Sequence, residues 1–198
     1  YCDPISSVKR KAALTVIDAV FDCLTAWLAP ILVFTMEECW LERHSGDRDS
    51  VHLRQMPVVP GEWANAALAA KWEKVREVRK VVTGALEIVR KEKIIGSSLE
   101  AAPQVYVTNA DLRAALDGVD LAEISITSFL DLKEGAAPAD AFTLPEVSGV
   151  GVVFARADAL GRQCVRSRRF FAEADMDGEL SKRDAQAMRE RQAAGLTA

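Results

Sequence analysis

A mainly α fold is predicted for this sequence: a helical bundle over residues 1–103, followed by a small α+β unit over residues 104–198. Three observations predict it. Apolar residues recur at spacings of three and four along three long segments before residue 95, the pattern of helices with one face against a core. Beyond Gly96 that period gives way to short alternating or wholly apolar runs, punctuated by Gly, Pro and Asn. With 198 residues, 49% apolar and 27% charged, the chain has an ordinary globular composition, enough for one full domain and a smaller second one.

Ser6 and Ser7 are candidate N-caps of a first helix, whose stripe is Leu14, Ile17, Val20, Phe21, Leu24 and Leu28. Pro30 stops it and suits the first turn of a second helix, from about Pro30 to Arg43, with Ile31, Phe34, Cys39 and Trp40 as apolar contacts. Residues 44–61 read as a loop, punctuated by His44-Ser45-Gly46-Asp47, Pro57 and Pro60. A long third helix is expected from about Asn65 to Lys93, with Trp72, Val75, Val78, Val82, Ala85 or Leu86, and Val89 on one face. Gly84 weakens its middle, and Gly96 is expected to adopt a backbone angle that other residues avoid. Gln104–Thr108 reads as a strand, Asn109 as the cap of a short helix, Ile124–Leu130 as a half-buried strand, and Val147–Ala155 as a strand with a turn or bulge at Gly149 and Gly151. Asp184 to Ala194 reads as a short polar helix.

Other features narrow the function. Tyr1-Cys2-Asp3-Pro4 is no signal peptide, and a chain starting there is expected to be a piece of a longer one. No apolar run reaches membrane-span length, so no membrane partner is expected. Cys2, Cys23, Cys39 and Cys164 show no C-x-x-C spacing; buried free thiols in a reducing cytoplasm are expected. His44 reads as a solvated loop residue and His52 as packed or at the surface, neither with a catalytic partner. Glu37-Glu38 reads as an exposed helix face. There is no phosphate-cradling glycine loop. On its own residues, the chain performs no reaction. Net charge is −4, yet residues 61–103 and 161–198 each carry eight basic against six acidic side chains. Two mildly basic stretches therefore flank an acidic one, which permits an RNA surface.

Leu28-Ala29-Pro30-Ile31-Leu32-Val33-Phe34-Thr35-Met36-Glu37-Glu38-Cys39-Trp40 resembles a stretch of the anticodon-binding helical domain shared by the isoleucyl, valyl and leucyl class I aminoacyl-tRNA synthetases. Ser50-Val51-His52-Leu53 resembles the element that follows it, and Tyr1-Cys2-Asp3 the segment that enters the domain. Val78-Arg79, Leu86-Glu87, Arg90, Lys93 and Ile95-Gly96-Ser97-Ser98-Leu99-Glu100-Ala101 are similar to the pattern of the isoleucyl family in particular. The resemblance covers most of residues 1–103 and thins across 104–155.

The resemblance implies the tRNA-binding end of an enzyme that loads isoleucine onto tRNA(Ile) with ATP and Mg, with the catalytic and editing sites in polypeptide before Tyr1. Such an enzyme is expected to be cytoplasmic and monomeric, with no protein partner required. Phe34, Trp40 and the helix stripes are expected to be core. The RNA-contact candidates are the basic residues Arg76, Arg79, Lys80, Arg90, Lys91 and Lys93, then Arg162, Arg166, Arg168 and Arg169 in the tail. Arg168 stands where the family often has Trp, and its guanidinium can stack on a base. Many isoleucyl enzymes carry a C-terminal zinc module with two C-x-x-C pairs. The matching positions here are Cys164, Ser167, Ser181 and Asp184, so zinc is expected to be absent. Phe170, Phe171, Leu180 and Met188 are few anchors for such a tail, and weak protection is expected. Two alternatives stay open: the equivalent region of a valyl or leucyl enzyme, and a helical protein-binding scaffold that does not touch RNA.

Overall fold

The computed structural model describes residues 3–46 and 48–196. Tyr1 and Cys2 of the resemblance, the Cys2 thiol and Asp47 of the loop lie outside the described residues. The chain divides into two compact units, residues 3–64 with residues 187–196, and residues 65–186. Helix dominates, but a four-stranded sheet holds the largest core, so the class is mixed α and β. The compact division falls at Ala64, whereas the sequence places a boundary near residue 103.

In the first unit, α1 (Val8–Leu28) begins at Ser7, whose side chain accepts from the Arg10 N–H. Pro30 ends it, and four turn residues intervene before α2 (Val33–Leu41), because Ile31 and Leu32 both donate back to the Leu28 carbonyl. The expected start at Pro30 is thus early by three residues. The small core is Ala29, Trp40 and Val51, with Phe21 and Met36 against it. Trp40 stacks on Phe21 and on His44, and the Arg54 guanidinium lies 4.1 Å from its ring centroid. His44 is therefore packed, not solvated. Glu37 is half-buried: its carboxylate accepts from the Ser50 hydroxyl and the Val51 N–H, closing the loop turn on α2.

Two core expectations fail here. Phe34 is 83% exposed, and the α1 stripe residues Leu14, Ile17, Val20 and Leu24 are 45–61% exposed. Only Thr25 and Ala26 of α1 are buried. Val16, Val20, Leu24 and Trp27 instead line an apolar groove of about 590 Å³, with Val59 and Trp63 on its other wall. Cys23 and Cys39 are free but only half-buried.

The second unit is built around α3 (Ala66–Lys91), capped by the Asn65 side chain on the Leu68 N–H. Its apolar face buries Val75, Val78, Val81, Val82, Ala85, Leu86 and Val89. That face packs on a sheet of order β2-β1-β4-β3: β1 (Gln104–Val107), β2 (Asp131–Lys133), β3 (Phe142–Leu144) and β4 (Val147–Val153). Strand β1 pairs parallel with β2 and antiparallel with β4, and the β3–β4 register shifts between Phe142 and Leu144. Gly84 has a packing reason: a Cβ there would stand 3.0 Å from the Phe142 ring.

Asn109 caps α4 (Ala110–Ala115), as the sequence predicts. The half-buried strand over Ile124–Leu130 does not form. Asp120 caps α5 (Leu121–Ser125), Ile126 takes a left-handed angle (φ 58°), and strand pairing starts only at Asp131. Ser125, Thr127 and Ser128 are buried polar residues, and the Ser128 hydroxyl donates to the Leu99 carbonyl. Alternating Ile and Ser/Thr thus reads as a strand facing water, while the hydroxyls of Thr127 and Ser128 in fact serve main-chain carbonyls.

The tail folds as two minimal hairpins, β5 (Arg162–Gln163) with β6 (Phe170–Phe171), and β7 (Met176–Asp177) with β8 (Leu180–Ser181). Helix α6 (Lys182–Ala193) follows.

Candidate nucleic-acid interface

The helix α3 gives its core face to the sheet, which leaves its basic residues on the other faces. Their surroundings differ. Arg79 donates through Nε to the Ile124 carbonyl at 2.8 Å, so it docks the last turn of α5. Lys80 is paired with Glu146 at 2.8 Å, and that hydrogen bond holds the Glu146 carboxyl below its ordinary range. Arg90 is held by Glu87 (2.7 Å) and the Ser98 hydroxyl (2.7 Å). In the tail, Arg162 bonds Glu173 and the Gly178 carbonyl, Arg166 bonds Asp184 at 2.6 Å, and Arg169 bonds the Ser128 carbonyl.

The other four candidates are exposed, and their side chains have no ion pair or hydrogen bond among the described residues: Arg76, Lys91, Lys93 and Arg168. Two of these four share a backbone peculiarity. Lys93 has φ 59° and Arg168 has φ 61°. At Lys93 the reason is the helix stop. The Ile94 N–H bonds the Val89 carbonyl and the Lys93 N–H bonds the Arg90 carbonyl, a Schellman ending that requires a left-handed residue at Lys93. Glycine is the usual occupant, and a side chain there costs about 1 kcal/mol. The left-handed position is therefore Lys93, not Gly96, whose φ is not positive. Arg168 occupies the equivalent strained point in the β5–β6 loop.

The motif Gly96-Ser97-Ser98-Leu99-Glu100 has a structural explanation. Ser97 and Glu100 form a reciprocal capping box, with the Glu100 carboxylate accepting from the Ser97 and Gly96 N–H groups. This turn follows Lys93 directly. Ser128 links it to the tail: its hydroxyl donates to the Leu99 carbonyl and accepts from the Phe170 N–H. The hairpin carrying Arg168 is thus tied to the segment that follows Lys93. Sequence reasoning missed Ser128, and also Arg156, which donates to the Ile94 carbonyl at 2.8 Å. No local signal marks either, because their partners are 29 and 62 residues away.

What emerges is a set of basic side chains of two kinds, six bonded to protein groups and four exposed without a partner among the described residues. Among the described residues there is no group of three or more His, Cys, Asp or Glu able to hold a metal ion. No helix among them is long and apolar enough to cross a membrane. Residues 1–106 match the family described as the anticodon-binding domain of tRNA ligase, and the chain belongs to that family.

Similarity to individual proteins extends beyond that domain. The chain is 54% identical over 199 residues to the isoleucine–tRNA ligase of Mesorhizobium japonicum, covering 98% of this chain. Identity is 53% to the isoleucine–tRNA ligase of Bartonella henselae and 54% to that of Agrobacterium fabrum. The chain spans 20% of the length of each of these relatives.

Proposed function

We propose that this chain is the tRNA-binding, C-terminal portion of a cytoplasmic isoleucine–tRNA ligase, and that it grips the anticodon arm of tRNA(Ile). ATP, Mg and isoleucine would be handled by the rest of such an enzyme. Phosphate contacts would position the RNA, and unstacked bases would be read by side chains. Of the ten basic candidates, Arg76, Lys91, Lys93 and Arg168 are the direct contacts. Arg79, Lys80, Arg90, Arg162, Arg166 and Arg169 act first as struts of the protein.

The observation that carries this reading is a pair of exposed cations, Lys93 and Arg168, at left-handed backbone positions and without a partner among the described residues. Glycine would fit both better, so the charge has a use outside the fold. The test is a gel shift with tRNA(Ile) over a range of salt. Binding should weaken as salt rises, and Lys93→Ala or Arg168→Ala should each lower the slope of log K against log salt by about 0.7 to 0.9. Arg79→Ala should leave the slope unchanged and lower stability instead. A folded chain with no RNA binding at micromolar concentration would favour the protein-scaffold reading.

A further inference from the structure

Asp184 is the one acidic residue among the described buried polar groups, with 0% of its surface exposed. It sits in the first turn of α6, and four donors reach its two oxygens. Arg166 Nη1 donates to Oδ1 at 2.6 Å. The Ser181 hydroxyl (2.5 Å), the Ser167 hydroxyl (3.1 Å) and Arg183 Nη2 (3.0 Å) donate to Oδ2. A carboxylate has about four acceptor positions, and four donors converge on this one, three of them at Oδ2. The donors come from separate places: Arg166 and Ser167 from the β5–β6 loop, Ser181 from the end of β8, Arg183 from α6 itself. Cys164 belongs to the same cluster, its buried sulphur accepting from the Ser181 N–H at 3.3 Å.

These are the four positions where the related module would carry thiolates, Cys164, Ser167, Ser181 and Asp184, and the structure brings them together. As a zinc site they do not fit. Two hydroxyls are poor ligands, and the carboxylate among the four already accepts from two hydroxyls and is paired with two guanidinium groups. We propose that the Asp184 carboxylate has taken over the structural task of the metal, cross-linking the two hairpins and α6 so that the tail folds without an ion. The four positions still converge around it. Exchanging Ser167, Ser181 and Asp184 for cysteine would then restore zinc affinity, since four thiolates outweigh the two neighbouring guanidinium groups. This inference is independent of the RNA reading.

The experiment compares three proteins: the chain as it is, Asp184→Asn, and the triple variant S167C/S181C/D184C. Each is dialysed with zinc, analysed for metal, and followed by amide hydrogen exchange with and without EDTA. The unaltered chain should hold well under one equivalent of zinc, with exchange across residues 161–186 indifferent to EDTA. Asp184→Asn should speed exchange there by about tenfold or more, because two half-buried guanidinium groups lose the charged acceptor between them. The triple variant should hold one equivalent of zinc and lose its protection in EDTA. One equivalent of zinc in the unaltered chain would overturn the proposal. So would undiminished protection in Asp184→Asn, or a triple variant that binds no zinc.

Discussion

The helices α1 and α3 show the same apolar period, yet α3 buries seven residues and α1 buries two. Each unit supplies its helix with a different environment. Helix α3 has a sheet opposite it, and Val75, Val78, Val81 and Val82 are wholly buried. Helix α1 has α2 along one side, while Val16, Val20, Leu24 and Trp27 face an open groove. Periodicity records which face of a helix gains from burial. Whether a covering layer is present is a tertiary fact that no window of one helix contains. The sharpest way to break the comparison is a matched truncation. Leu86→Ala should cost about 2–5 kcal/mol in denaturant unfolding, because it leaves a cavity in a closed core. Leu24→Ala, at a residue 45% exposed, should cost under about 1 kcal/mol. Equal losses would mean that α1 is covered after all.

Acid should separate the units next. Burial alone would raise the Asp184 carboxyl, but hydrogen bonds from Ser181, Arg166 and Arg183 outweigh it and hold its pKa at about 2. A depressed carboxylate stabilises the fold fully above its ordinary pKa, near 4, and the contribution is lost as pH falls toward 2. The expected loss is on the order of 2 kcal/mol. Exchange protection across residues 161–186 should therefore decline between about pH 4 and pH 2. Among the described buried residues of the first unit there is no carboxylate, so the Phe21–Trp40–His44 stack should not share that transition. Loss of both at one pH would mean that a global event, not Asp184, sets the acid limit.

What the sequence makes legible follows the range of the forces involved. Ser7 and Asn109 cap the helices they were expected to cap, and Asn65 caps the helix expected to begin near it, because a cap is decided within four residues. Pro30 acts equally locally. Asp120 is a cap of the same kind, with Glu123 three residues on, but the Ile–Ser–Ile–Thr alternation obscures it. The basic candidates were visible as charges, while their employment was not. Lys80 meets Glu146, and Arg79 meets the Ile124 carbonyl, across 66 and 45 residues. In the tail, the resemblance singles out four matching positions, but only the fold shows one carboxylate accepting from four side chains there.

The smallest expected effect bears most directly on the interface. Lys93→Gly replaces a side chain at φ 59°, where glycine has no steric penalty. Stability should rise by up to about 1 kcal/mol, because the folded strain disappears while the unfolded chain gains some entropy in opposition. If Lys93 serves RNA, the same variant should bind tRNA(Ile) more weakly, with a salt slope shallower by about 0.7 to 0.9. Arg168→Gly should behave alike, since it shares the angle and has no protein partner among the described residues. Arg76→Gly offers the contrast. It lies in the interior of α3, so it should lose stability by about 1 kcal/mol along with any charge effect. Opposite signs in stability, with the same sign in binding, would separate cations tolerated at a cost from one placed where helix propensity already favours it. A variant at residue 93 that is more stable and binds RNA unchanged would remove Lys93 from the interface and leave its left-handed angle without a functional reason.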